Sequence, residues 1–180
     1  MTHRIEGTLT TLRPATMNDK RAIYQWMAES DLTSLMIGPP NFPDHPIPTW
    51  EEFLDDYEDY FFDGSKPLLG HSFIIELNEQ PIGQINYGEI YPDDQVTELD
   101  IWLSARKYIG KGYGTDALIT LCSYLHQKFH VKKFMIAPSE RNIGAIKAYK
   151  KAGFMPTTDR PVYFRPDYDD AILMIKQWSS

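Results

Sequence analysis

Lys107-Tyr108-Ile109-Gly110-Lys111-Gly112-Tyr113-Gly114-Thr115 is a glycine-rich turn between two segments of different period. Before it, Thr97 to Ser104 reads as a strong strand. After it, Ala117, Leu118, Leu121, Cys122 and Leu125 recur on one face of a helix. A strand that feeds Gly110-x-Gly112-x-Gly114 and then a helix is an anion-site pattern. Glycines let successive N–H groups turn inward with no side chain in the way. The helix N-terminus adds partial positive charge, and Lys111 adds a full one. A plain strand–helix connection explains the turn equally well when it is read alone. Its spacing departs from two nucleotide sites. A dinucleotide fold wants G-x-G-x-x-G early in the chain and an acid ~20 residues on. A P-loop wants G-x-x-x-x-G-K-[ST].

Outward from the turn, the N-terminal side opens with a strand at Thr8 to Arg13, ended by Pro14. Asn18 and Asp19 suit a helix cap, followed by Ile23, Trp26 and Met27 on one face. Gly38 to Pro48 is too proline-rich for helix or central strand and reads as an ordered loop. Thr49 and Glu52 form a capping box that starts a helix through Phe53, Leu54, Tyr57, Tyr60 and Phe61, with Gly64 after its end. Ser72 to Leu77 and Ile82 to Ile90 make a hairpin. On the C-terminal side come a strand at Lys133 to Ala137, a helix from Ile143 to Ala152, and strands near Phe154 to Thr157 and Ala171 to Lys176. This order is α+β rather than the regular alternation of a doubly wound fold.

A chain of 180 residues fits one domain, 1–180. The net charge of −7 argues against nucleic-acid binding, which needs a basic face. It suits a cationic partner, and a bland acidic protein equally. The generous aromatic content includes rings outside clear core periodicity, which are candidates to line a cleft. The lone cysteine, Cys122, allows no internal disulfide and fits a reducing cytoplasm. The N-terminal stretch has no apolar leader, and no run approaches the ~18 apolar residues of a membrane span. A cytoplasmic protein, monomer or homodimer, with no membrane or nucleic-acid partner is expected.

With Asn142-Ile143-Gly144-Ala145-Ile146-Lys147-Ala148-Tyr149-Lys150-Lys151-Ala152-Gly153-Phe154 added, the sequence resembles the GCN5-related N-acetyltransferase (GNAT) family. That stretch is similar to the family's N-x-x-A-x-x-x-Y-x-x-x-G-F. Ile109 to Gly114 is similar to its Q/R-x-x-G-x-G/A, with Ile109 where Gln or Arg is usual. Within the family the chain is most similar to aminoglycoside 6′-N-acetyltransferases. Leu99-Asp100-Ile101-Trp102 looks like their acid-bearing strand. Their aspartate before the proline is replaced by Ala137.

The resemblance implies a mixed, mostly antiparallel sheet flanked by helices and splayed at an acyl-coenzyme A cleft. It implies acetyl transfer from acetyl-CoA to a primary amine by direct attack on the thioester, with no metal. The implied acceptor is a small aminoglycoside-like cation, which would make this an antibiotic-resistance activity. The alternatives are a protein N-terminus, a siderophore or polyamine amine, or a coenzyme A-binding module without turnover. Implied cofactor contacts are Ile109, Gly110, Lys111, Gly112, Tyr113, Gly114 and Thr115 on the pyrophosphate, and Asn142, Ala145 and Tyr149 along the next helix. Trp102 and Leu103 N–H groups would polarise the thioester oxygen.

A primary amine with pKa near ~10 must lose a proton before attack. Asp100 is the first candidate to take it, with Glu98 on the same strand face. The resemblance implies that Tyr149 protonates or hydrogen-bonds the sulfur; read alone, it is a core aromatic at helical spacing from Ile146. His126 and His130 lack the glutamate and third ligand of a zinc helix. Cys122 reads as core. Asp55, Asp56, Glu58 and Asp59, and Asp167, Asp169 and Asp170, are either solvated faces or rims of a cationic cleft.

Overall fold

The computed structural model describes residues 3–179. Its strands are β1 (Ile5–Glu6), β2 (Thr11–Pro14), β3 (His71–Leu77), β4 (Gln80–Tyr87), β5 (Val96–Leu103), β6 (Lys133–Ile136), β7 (Met155–Pro156) and β8 (Met174–Gln177). They form one eight-stranded sheet in the order β1-β2-β3-β4-β5-β6-β8-β7. Every neighbouring pair is antiparallel except β5 with β6. The helices are α1 (Lys20–Ala28), α2 (Thr33–Met36), α3 (Trp50–Asp56), α4 (Tyr60–Asp63), α5 (Tyr113–Phe129) and α6 (Ile143–Lys151). The α+β expectation holds.

Strand alternation sends side chains to two cores. Phe73, Ile75, Ile85 and Leu99 pack with Ala117, Leu118 and Leu121 of α5 and with Tyr149 of α6. Ile74 and Trp102, on the opposite face, pack with Ile23 and Tyr24 of α1 and Phe53 of α3.

Three expectations change in detail. Thr8 to Thr10 is not strand: the N–H groups of Thr8, Leu9 and Thr10 all donate to the Asp116 carboxylate, at 3.0, 3.0 and 2.9 Å. A carboxylate from α5 satisfies these donors in place of a strand ladder. Pro14 ends inside β2, where β1 no longer runs alongside and its missing N–H has no partner to deny. The helix opened by Thr49 and Glu52 is two, because Tyr57 leaves helical geometry at φ −107°, ψ 80°. Its ring stacks on Phe53 and meets Trp102 edge-on.

Parallel pairing of β5 with β6 covers only Val96 to Glu98 against Lys133 to Met135. β5 continues to Leu103 along β4, while β6 stops at Ile136 ahead of Pro138. The sheet therefore opens into a wedge beyond Glu98.

Candidate active site

The turn lies at one side of this wedge. Gly110 and Gly112 have φ of +73° and +85°, in the left-handed region where a side chain is strained. Gly112 caps α5. The N–H groups of Gly110, Lys111, Gly112, Tyr113, Gly114 and Thr115 donate to no acceptor among the described residues; Asp116 is the first to return to Gly112 O, at 2.9 Å. Such a run of free donors at a helix start, with Lys111 beside it, fits a pyrophosphate. The Thr115 hydroxyl is engaged elsewhere, donating to Ala148 O at 3.1 Å and tying α5 to α6. Asn142 Oδ1 accepts the Ala145 N–H at 3.2 Å, so it caps α6 and leaves its amide nitrogen for a ligand.

The strand register decides which β5 donors face the wedge. Ser104 N–H donates to Ile82 O, and Glu98 O accepts from Gly88 N–H. In this register Trp102 sits opposite Gln84 as a hydrogen-bonded pair. Its N–H is thus bound to β4, which corrects its expected part in polarising the thioester oxygen. Ile101 and Leu103 carry the N–H groups that point into the wedge. Ile101 N–H is held at 2.9 Å by Asp100 Oδ1.

Glu98, Asp100 and Trp102 share the other face of β5, where the register places Asn86 beside Asp100. Asn86 Nδ2 donates to Tyr57 Oη at 3.4 Å. Asp100 keeps an open surface, but protein crowds its carboxylate. That desolvation, with Asp167 nearby, lifts it to about 6, opposed by the Ile101 N–H bond and by the neighbouring Tyr57 phenol. Desolvation, then Asp167 and Asp100, lifts Glu98 to about 8. Asp167 is itself raised, first by burial, with His45 opposing and Asp56 assisting. Such a cleft favours a cation.

Tyr149 is almost fully buried on α6. Its phenol is raised by burial first and by Asp100 next, so it stays protonated. Cys122 is fully buried and its thiol is pushed up to about 12 by burial. It is core, as expected. Asp59 pairs with Lys20 at 2.6 Å, whereas Asp56 faces the cleft groups. Asp170 belongs to an ion-pair cluster with Arg141.

Asp167, one of the acidic residues read as either solvated or rimming a cationic cleft, joins the cleft; Tyr57, Asn86, His45 and Tyr168 join it as residues that the sequence reading does not place in a site. Only Asn86 was accessible in principle, as a polar residue on the strand paired with the acid-bearing one.

A family model described as an acetyltransferase (GNAT) domain matches residues 10–155. The chain belongs to the GNAT acetyltransferase family. Aminoglycoside N(6')-acetyltransferase type 1 of Klebsiella pneumoniae is 28% identical over 169 residues, covering 86% of this chain and 80% of that protein. The solved structure of AAC(6')-Ib with ribostamycin and coenzyme A matches with TM-score 0.73 and 24% identity, over 94% of this chain and 93% of the other. RimL, a ribosomal alpha-N-protein acetyltransferase solved with coenzyme A, matches with TM-score 0.70 and 16% identity, over 97% and 98%. The structural likenesses show the GNAT fold over nearly the whole chain. The wedge and the glycine turn described above lie within the matched residues 10–155.

Proposed function

We propose that this protein transfers the acetyl group of acetyl-CoA to a primary amine of a small, multiply charged cation of aminoglycoside type. The observation that carries the reading is the pairing of two opposed features. Free N–H groups from Gly110 to Thr115 stand on one side of the wedge. The carboxylates of Glu98, Asp100 and Asp167 stand together on the other. One side fits a pyrophosphate and the other an ammonium.

In this reading acetyl-CoA is a substrate held by residues 110–115 and by Asn142. Asp100, ionised, takes the ammonium proton directly or through water, and the Ile101 N–H fixes its orientation. The freed amine attacks the thioester carbonyl. Leu103 N–H, pointing into the wedge, is the donor for the oxygen as it gains charge. Tyr149 donates its proton to the departing sulfur, and the second proton that the nitrogen sheds on becoming an amide returns to Tyr149 through water. Glu98 holds ammonium charge near Asp100. Asp167, from the loop before β8, adds a carboxylate to a cleft that lacks the aspartate of the aminoglycoside branch, because this chain has Ala137 there.

The K. pneumoniae relative, an aminoglycoside N(6')-acetyltransferase, supports this acceptor. Coenzyme A thiol release, measured with acetyl-CoA and an amine panel including kanamycin and ribostamycin, tests it. Turnover confined to peptide N-termini would reject the acceptor and keep the chemistry.

A further inference from the structure

Arg141 has no part in the chemistry above, yet one side chain joins three segments that are distant in sequence. Its guanidinium grips Asp44 with both ends of its fork, Nη1 to Oδ1 at 2.7 Å and Nη2 to Oδ2 at 3.1 Å. Nε donates to Asp170 Oδ2 at 2.9 Å. The plane lies 4.4 Å from the centroid of the buried Phe42 ring. Asp44 and Phe42 belong to the proline-rich loop, and Asp170 to the loop before β8. Ser139 Oγ also donates to Asp170, at 2.7 Å.

The two loops it ties carry the acceptor side of the cleft. His45 is next to Asp44 and lies 4.4 Å, ring to ring, from Tyr168. Tyr168 Oη donates to Met36 O at 2.9 Å. Asp167, beside Tyr168, acts on both Glu98 and Asp100. On its other side Arg141 precedes Asn142, the cap of α6, the helix that bears Tyr149.

We infer that Arg141 is a positioning residue for the acceptor: it fixes the wall carrying His45, Asp167 and Tyr168 at a set distance from the cofactor helix. This rests on the acceptor reading above. The chemistry of the clasp suits the role. A two-point Arg–carboxylate grip fixes direction as well as distance. Its partners keep water contact, with Arg141, Asp44 and Asp170 side chains 33%, 55% and 21% exposed. Exposed pairs of this kind add little to global stability. Their effect is local order in loops that otherwise open independently of the core.

The test compares full-length wild type with Arg141→Gln and Arg141→Lys. Amide hydrogen exchange comes first because it needs no substrate. In Arg141→Gln, residues 38–48 and 164–171 exchange at least about tenfold faster, while β3 to β5 and α5 are unchanged. Steady-state kinetics follow. The amine KM rises about tenfold, the acetyl-CoA KM stays within about twofold, and the melting temperature moves by less than about 3 °C. Arg141→Lys, which keeps the charge and loses the fork, falls between. Unchanged exchange in both loops overturns the clasp. Faster exchange with an unchanged amine KM, or with both KM values raised equally, overturns the acceptor role. Wild-type enzyme that turns over no amine overturns the acceptor reading itself, and the exchange data still decide whether the clasp exists.

Discussion

Asp100 Oδ1 accepts the N–H of Ile101 at 2.9 Å, a strand residue gripping the backbone of its own neighbour. The bond is available because β6 has parted from β5 and left that N–H without a ladder partner. It holds a carboxylate at the wedge, beside the position a thioester would reach. Asp100→Asn keeps the shape and removes the base. The kcat for amine acetylation should fall about 10²–10⁴-fold, with the acetyl-CoA KM within about twofold. Steady-state kinetics with both substrates varied give both numbers.

The raised carboxylates set the pH dependence. Below about 6 Asp100 is protonated and cannot accept a proton, so kcat/KM should rise with pH up to that region. A second rise toward about 8 follows ionisation of Glu98, and the two act as a coupled pair. For stability the sign is opposite. Both groups hold protons more tightly folded than unfolded, so folding weakens as pH rises from the ordinary carboxylate range through about 8. Glu98→Gln should raise the melting temperature at pH 8 by about 3 °C and have little effect at pH 4. Melting scans across that range check it.

Tyr149 keeps its phenol proton, because burial raises it, and its hydroxyl has no protein acceptor among the described residues. Tyr149→Phe leaves the ring in the core beside Ala152 and Phe154. The expected result is a loss of about 10–100-fold in kcat with melting within about 2 °C. A thioester with a better leaving group should narrow the loss. A large fall in melting temperature would make Tyr149 a core residue only.

Asp116 is the strongest structural anchor near the turn. Besides three backbone donors, its carboxylate accepts the Thr10 hydroxyl at 2.8 Å. The close fit leaves no room at Gly7, where a Cβ would lie 2.5 Å from Oδ2. Asp116→Asn replaces an acceptor oxygen with a donor facing donors. The cost should be about 2–3 kcal/mol, a drop of about 4–10 °C in melting temperature. Binding of coenzyme A should weaken less than stability does, since the free N–H groups precede Asp116. Calorimetry on the variant reads both.

The glycine turn and the Asn142–Phe154 stretch were legible because each is written in consecutive residues. So was Asp100, through strand alternation. Trp102 shows the limit: which way its N–H points depends on pairing with β4, and only the register of Gln84 settles it. Tyr57 was assigned to a continuous helix because local pattern hides the pull of Phe53 and Trp102 that breaks it. Asp167 and His45 reach the cleft from loops more than a hundred residues apart in sequence, brought together by Arg141 and Tyr168. No short-range signal carries that.

The most direct test of the account is coenzyme A release by purified protein given acetyl-CoA and kanamycin or ribostamycin, run beside Asp100→Asn. Saturable release with the wild type, acetylation of one amine confirmed by mass, and near-complete loss in the variant are predicted. Release with no amine in the panel, or equal rates for wild type and Asp100→Asn, would contradict it.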